Sequence, residues 1–115
     1  MQKRPEFSRY NDGVVHIYRE TERRSNFGAK LNATSIDDLQ FIAKLSYAEQ
    51  SKRQQDMEFA QQQSFSLDLK IKTRFVKGID NKCKAVINGH LYDISYVDTT
   101  KTDAYLYMQG VGSLA

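Results

Sequence analysis

Strict two-residue alternation between Ser64 and Tyr107 is the strongest constraint in this sequence. In Ser64-Phe65-Ser66-Leu67-Asp68-Leu69-Lys70-Ile71-Lys72-Thr73-Arg74-Phe75, the apolar Phe65, Leu67, Leu69, Ile71 and Phe75 share one parity. Ser66, Asp68, Lys70, Lys72 and Arg74 share the other. Side chains of a strand alternate between its faces, so this run predicts a strand with one wet face; no helical stripe collects the same residues. Further on, Ala85-Val86-Ile87 and Leu91-Tyr92-Asp93-Ile94 flank Asn88-Gly89. A two-residue hairpin loop of type I′ needs positive φ at both positions, which Asn and Gly tolerate best. Tyr92, Ile94 and Tyr96 then alternate against Leu91, Asp93, Ser95 and Val97. A polar turn at Thr99–Asp103 leads to a last strand, Ala104–Met108, after which Gly110 and Gly112 are expected to loosen the tail. The pattern is an antiparallel meander suited to a small barrel or sandwich.

A chain of 115 residues forms one domain, here 1–115, with a modest core. Hydrophobic residues make up 40% and mean hydropathy is −0.63, polar enough that burial could be completed by self-assembly or by partners. Seven tyrosines and six phenylalanines supply the aromatic fill that a small β core favours. The single cysteine, Cys83, excludes an internal disulfide and points to a reducing compartment. No apolar run reaches the length of a membrane span or of a signal-peptide core. A net charge of +3 permits contact with nucleic acid without requiring it.

From the N-terminus, residues 1–9 read as a flexible arm, followed by turn chemistry at Asn11-Asp12-Gly13. Gly13–Glu20 predicts the first strand, with Val15 and Ile17 on one face and Val14, His16 and Tyr18 on the other. Phe27–Asn32 reads as a second strand or a loop end. Ser35-Ile36-Asp37-Asp38 has helix N-cap character, but the alternation of Leu39, Phe41, Ala43 and Leu45 favours a strand there. Ser46 stands three residues before Glu49, the spacing of a capping box. That spacing predicts one inserted helix over about 46–62, from Tyr47 to Gln62. Glu49–Asp56 contains no apolar residue, and a helix polar all round is held by partners or bridges solvent. It is therefore a candidate contact surface, with Tyr47, Arg53, Gln54 and Glu58 as candidate assembly contacts. The expected fold is mainly β: a small antiparallel barrel or sandwich with one inserted α-helix.

No residues converge on a catalytic pattern. His16 and His90 lack the additional ligands a metal site requires, Cys83 has no neighbouring base, and no glycine-rich phosphate loop is present. The expectation is a non-enzyme without cofactor or metal. Lys70, Lys72 and Arg74 form a basic strand face continued by Lys77, Lys82 and Lys84, and Arg19, Arg23 and Arg24 lie near the end of the first strand. A basic stripe on a small barrel can follow a nucleic-acid backbone, with Tyr92, Tyr96, Tyr105 and Tyr107 as a stacking platform. The plainer reading is a solvated face interrupted by Asp68, Asp80 and Asp93, with tyrosines that fill a core or line a subunit interface.

The order of elements resembles the head-closure, or head–tail joining, proteins of tailed bacteriophages. Lys84-Ala85-Val86-Ile87-Asn88-Gly89-His90-Leu91-Tyr92-Asp93-Ile94-Ser95-Tyr96-Val97-Asp98 is similar to that family's hairpin. Leu39–Leu45 looks like the strand before the family's central insertion, and Ser46–Gln63 like its Gln-rich helix. Asn11-Asp12-Gly13 is a similar opening, whereas Thr21–Thr34 follows no family pattern. The resemblance implies a β-barrel virion protein of the connector, or neck, without enzyme activity. Such a protein forms a homo-oligomeric ring, dodecameric or hexameric, and many members are monomers until they meet the connector. The ring lies beneath the portal and adaptor proteins, closes the DNA-filled head around the passing double-stranded DNA, and offers the tail its docking surface. The expected location is the virion, with the host cytoplasm during assembly and no membrane. Lys70, Lys72, Arg74, Lys77 and Lys82 become candidate residues facing the DNA channel or a neighbouring ring. A tail-terminator ring protein and an OB-like barrel binding single-stranded nucleic acid are the alternatives.

Overall fold

In a computed structural model of the chain, residues 10–20 and 39–113 are described. The predictions on the arm 1–9, on Arg23 and Arg24, on Phe27–Asn32 and on Ser35–Asp38 lie outside them. Six antiparallel strands close into a barrel: β1 (Gly13–Glu20), β2 (Leu39–Gln50), β3 (Leu69–Arg74), β4 (Cys83–Ile87), β5 (His90–Thr99) and β6 (Asp103–Ser113). One helix, α1 (Gln54–Gln62), joins β2 to β3. Around the barrel the order is β1-β2-β3-β6-β5-β4. β1 and β2 pair along the whole of β1, and β3-β6-β5 form a second well-matched set. β4 pairs with β1 and extends the first set, which meets the second over short seams, Ala48–Gln50 against β3 and Lys84–Ile87 against β5.

The interior is filled by Val15 and Ile17 of β1, Leu45 and Tyr47 of β2, Ile71 of β3, Ala85 and Ile87 of β4, Ile94 of β5, and Leu106 and Met108 of β6. Ile79, from the loop between β3 and β4, is buried with them. These are the inward positions of a period-two pattern, and β1 has the predicted bounds and faces. The Asn88-Gly89 hairpin is also as read, with φ of 51° and 78°.

Three bulges break the alternation. The β1–β2 register skips Ile42, and the β5–β6 register skips Ser95 and Val111. An extra residue reverses the faces beyond it. Val97 thus packs against the core, while Tyr96, which shares parity with the buried Ile94, stands outside. Phe41 likewise faces outward, against Tyr18 at 5.6 Å between ring centroids. Gly110 and Gly112 do not loosen the tail; they remain in β6, paired with Tyr92 and Leu91.

Two element boundaries differ from expectation. The helix begins at Gln54, not near Ser46, because β2 runs on to Gln50. Leu45 and Tyr47 are core residues there, and Ala48–Gln50 supply one seam of the barrel. Closing the barrel outweighs the local Ser46/Glu49 signal. The second difference is that Ser64–Phe75 is not one strand. Ser64 adopts φ of 61° and ends the helix, its N–H bonding to Gln61 O at 3.1 Å and that of Phe65 to Ala60 O at 3.0 Å. This is a Schellman turn with serine where glycine is usual. Phe65 and Leu67 consequently pack under the helix rather than inside the barrel, and Phe75, expected on the apolar face, is exposed.

Ser64→Gly should stabilise the fold by up to about 1 kcal/mol, because glycine enters the left-handed region without the Cβ clash. Gly89→Ala should cost about 1–2 kcal/mol for the same reason. Urea denaturation midpoints of the two variants should move in opposite directions.

Candidate functional site

The helix lies on the outer face of β3-β6-β5. Ala60, Leu67 and Tyr107 are buried between them, with Phe59, Phe65 and Tyr105 packed around. Phe59 meets Tyr96 edge-on at 4.7 Å and Tyr107 at 6.0 Å between centroids. The helix therefore has a buried face, which the run of polar residues conceals: Asp56, Phe59 and Ala60 recur at helical spacing.

Asp56 fixes the start of that helix and is only 4% exposed. Its carboxylate accepts the Arg53 backbone N–H at 3.0 Å, Lys70 Nζ at 3.1 Å, Arg53 Nε at 3.4 Å and the Tyr107 hydroxyl at 3.1 Å. The acid at the third helical position thus satisfies the cap residue's N–H, as in one half of a capping box. Arg53, having no acceptor, cannot return the bond. Burial pushes the Asp56 pKa up, but the Arg53 backbone N–H, Lys70, the Arg53 side chain and Tyr107 together outweigh it and hold it at about 2. Tyr107 is pushed up to about 12 by burial, by its hydrogen bond to Asp56 and by the negative charges of Asp56 and Asp98.

Lys70 is thereby removed from the basic stripe. It was expected on the wet face, but the helix covers it, and its ammonium lies 5.0 Å from the Tyr107 ring centre and 5.7 Å from that of Tyr105. Tyr47 is corrected as well: it is a buried core residue of β2, not a helical contact. Arg53, Gln54 and Glu58 are exposed at the helix, as are Arg74, Lys77 and Lys82 on and after β3. Lys72 is partly buried, 5.9 Å from the Tyr10 ring centre. The tyrosines do not form one platform: Tyr92 packs on the interior, Tyr107 is buried, and Tyr96 and Tyr105 line the helix.

Beyond the first turn of the helix lies a cleft of about 340 Å³ lined by Gln50, Ser51, Arg53, Lys70, Asp98, Tyr105 and Tyr107. It offers a largely exposed guanidinium, a carboxylate and two aromatic walls. Asp56, which bonds to Arg53, Lys70 and Tyr107 of its lining, is hidden in the sequence by the polar run around it; its place three residues after Arg53 is the one local signal.

Several other titratable groups make structural contacts. Arg19 binds Asp80 at 3.2 Å and Gly78 O at 2.8 Å, anchoring the loop before β4. The Lys82 backbone N–H, ahead of Arg19, lowers the Asp80 pKa. Cys83 is buried, and burial pushes its thiol up. Lys84 pairs with Asp93 across β4 and β5. Among the described residues no group of three or more His, Cys, Asp or Glu could hold a metal, and no helix is long and apolar enough to cross a membrane. No protein-family model matches the chain, and no curated protein matches it significantly.

Asp56→Leu should destabilise by about 3–5 kcal/mol, because it leaves the Lys70 ammonium buried without its partner. Asp56→Leu with Lys70→Met should recover most of that loss, which a double-mutant cycle of denaturation midpoints would measure. The pH dependence follows from the same cluster. The Asp56 pKa is lowered in the fold, so its contribution is present above the ordinary value of 3.8 and is lost as pH falls towards 2. The Tyr107 pKa is raised, so its contribution is present below 10.0 and is lost as pH rises towards 12. Thermal melts across pH should decline in both windows, and Tyr107→Phe should flatten the alkaline one.

Proposed function

We propose that this chain is a structural protein of the head–tail connector of a tailed bacteriophage, assembling as a ring at the neck. The observation that carries the proposal is the β2–α1–β3 unit. A closed six-stranded barrel is interrupted at mid-sequence by a short helix pinned to its outside. This is the element order on which the sequence resemblance rests. Asp56 holds the helix from beneath, leaving Arg53, Gln54, Met57 and Glu58 exposed. Met57 is 45% exposed at the surface of an otherwise polar helix. A rigid barrel presenting such a helix suits a ring subunit that meets a neighbour or the adaptor above it. The competing nucleic-acid reading is weakened because Lys70 is committed to Asp56, while Asp98 shares its face with Lys72.

Electron microscopy of lysates from a phage lacking the gene tests the proposal. The expected result is tailless heads, leaking or empty, beside free normal tails. Aberrantly long tails on normal heads would move the protein to the tail terminus, and intact infectious particles would remove it from the virion. Met57→Glu should leave the melting temperature within a few degrees of wild type. It should nonetheless prevent incorporation into particles, scored by complementation.

A further inference from the structure

The two strand sets meet over short seams, and each seam leaves a strand overhanging its neighbour. β2 starts at Leu39 but pairs with β3 only from Ala48 to Gln50. β5 ends at Thr99 but pairs with β4 only from His90 to Asp93. The backbone of the first overhang can be oriented. Tyr47 O accepts the Asp12 N–H at 2.9 Å, and the Glu49 N–H donates to the Asp12 carboxylate at 2.6 Å, so Tyr47 and Glu49 face β1. Ala48 and Gln50 consequently face β3. By the same alternation, Lys44 and Ser46 turn their N–H and C=O groups to that side, where no strand among the described residues lies beside them. Such an edge is a ready template for another strand.

The two overhangs are complementary. Within Leu39–Ser46 the only charged side chain is Lys44, and within Ser95–Thr99 it is Asp98. Both are exposed, and neither forms an ion pair among the described residues. An outward aromatic stands on each, Phe41 at 54% and Tyr96 at 40% exposure. The overhangs lie at different seams of one barrel, so a single copy cannot join them to each other, whereas successive copies can.

We propose that the Leu39–Ser46 edge of one copy pairs with the Ser95–Thr99 edge of the next, with Lys44 set against Asp98 across the contact. The contact is heterologous, so repetition closes a ring when the rotation permits. Main-chain bonds supply the attraction and the single charge pair selects the register. The inference rests on the ring reading above and specifies its subunit contact.

Sedimentation velocity at rising protein concentration tests it on four samples: wild type, Lys44→Asp, Asp98→Lys, and the double variant. Both side chains are exposed, and circular dichroism checks that each variant folds. Wild type should self-associate, each single exchange should weaken association roughly tenfold or more by setting like charges together, and the double variant should regain it. A mixture of the two single variants should also associate, because every contact in an alternating ring then joins opposite charges. Hydrogen exchange of the Lys44 and Ser46 amides should slow on association. Association that ignores the exchanges, or leaves both amides unprotected, overturns this contact and leaves the neck reading in place. A wild type that stays monomeric throughout also overturns the contact, while the neck reading stands or falls on the particles made without the gene.

Discussion

The buried carboxylate of Asp56 is the interaction on which the arrangement outside the barrel depends. It joins three separate parts of the chain: the cap of the helix at Arg53, the start of β3 at Lys70, and the middle of β6 at Tyr107. A charge buried this deeply is tolerated only when its lone pairs are occupied, and here hydrogen bonds to several donors occupy them. No buried side-chain nitrogen or oxygen among the described residues lacks a partner. The result is positional. A helix of nine residues, too short to be stable by itself, is held at one place and angle on a β surface.

That placement divides the surface into regions with different capacities. The side of α1 towards the barrel completes an aromatic cluster through Phe59, Phe65, Tyr96 and Tyr107. Its outer side carries exposed polar groups with a single apolar residue, Met57, and the adjoining cleft sets polar groups beside Tyr105 and Tyr107. The barrel itself contributes rigid walls and, at its seams, strand edges. A molecule organised in this way has the surfaces that the proposed ring subunit would use, namely shape, backbone edges and a few charges. The proposed connector ring would need those properties, because each subunit of a closed ring meets identical neighbours on two different surfaces.

Much of the fold was legible in the sequence, and the failures share a cause. The hairpin at Asn88-Gly89, the first strand and the presence of a helix between β2 and β3 follow from local chemistry that no distant residue overrides. The start of the helix was misplaced because Ser46 and Glu49 satisfy a local rule while Leu45 and Tyr47 satisfy a non-local one. Burying two large core side chains stabilises the fold more than one helix cap does. The alternation within β5 misassigned Tyr96 because the bulge at Ser95 is visible only against the register of β6. Strand periodicity places Lys70 on the wet face because that pattern carries no sign of the helix that covers it.

The sequence by itself determined a small antiparallel β domain, its hairpin register and the presence of one helix between two strands. Turn residues and period-two patterning act over a few residues and leave little choice. Tertiary structure alone decided which face of each strand is truly wet, where the helix begins, and that Asp56, Lys70 and Tyr107 form one buried cluster. It alone also showed that, among the described residues, the edges at Lys44 and Asp98 have no strand beside them. Those outcomes depend on closing a barrel and laying a helix across it, and residues 51 positions apart in the chain, Asp56 and Tyr107, cannot signal their contact through any local pattern.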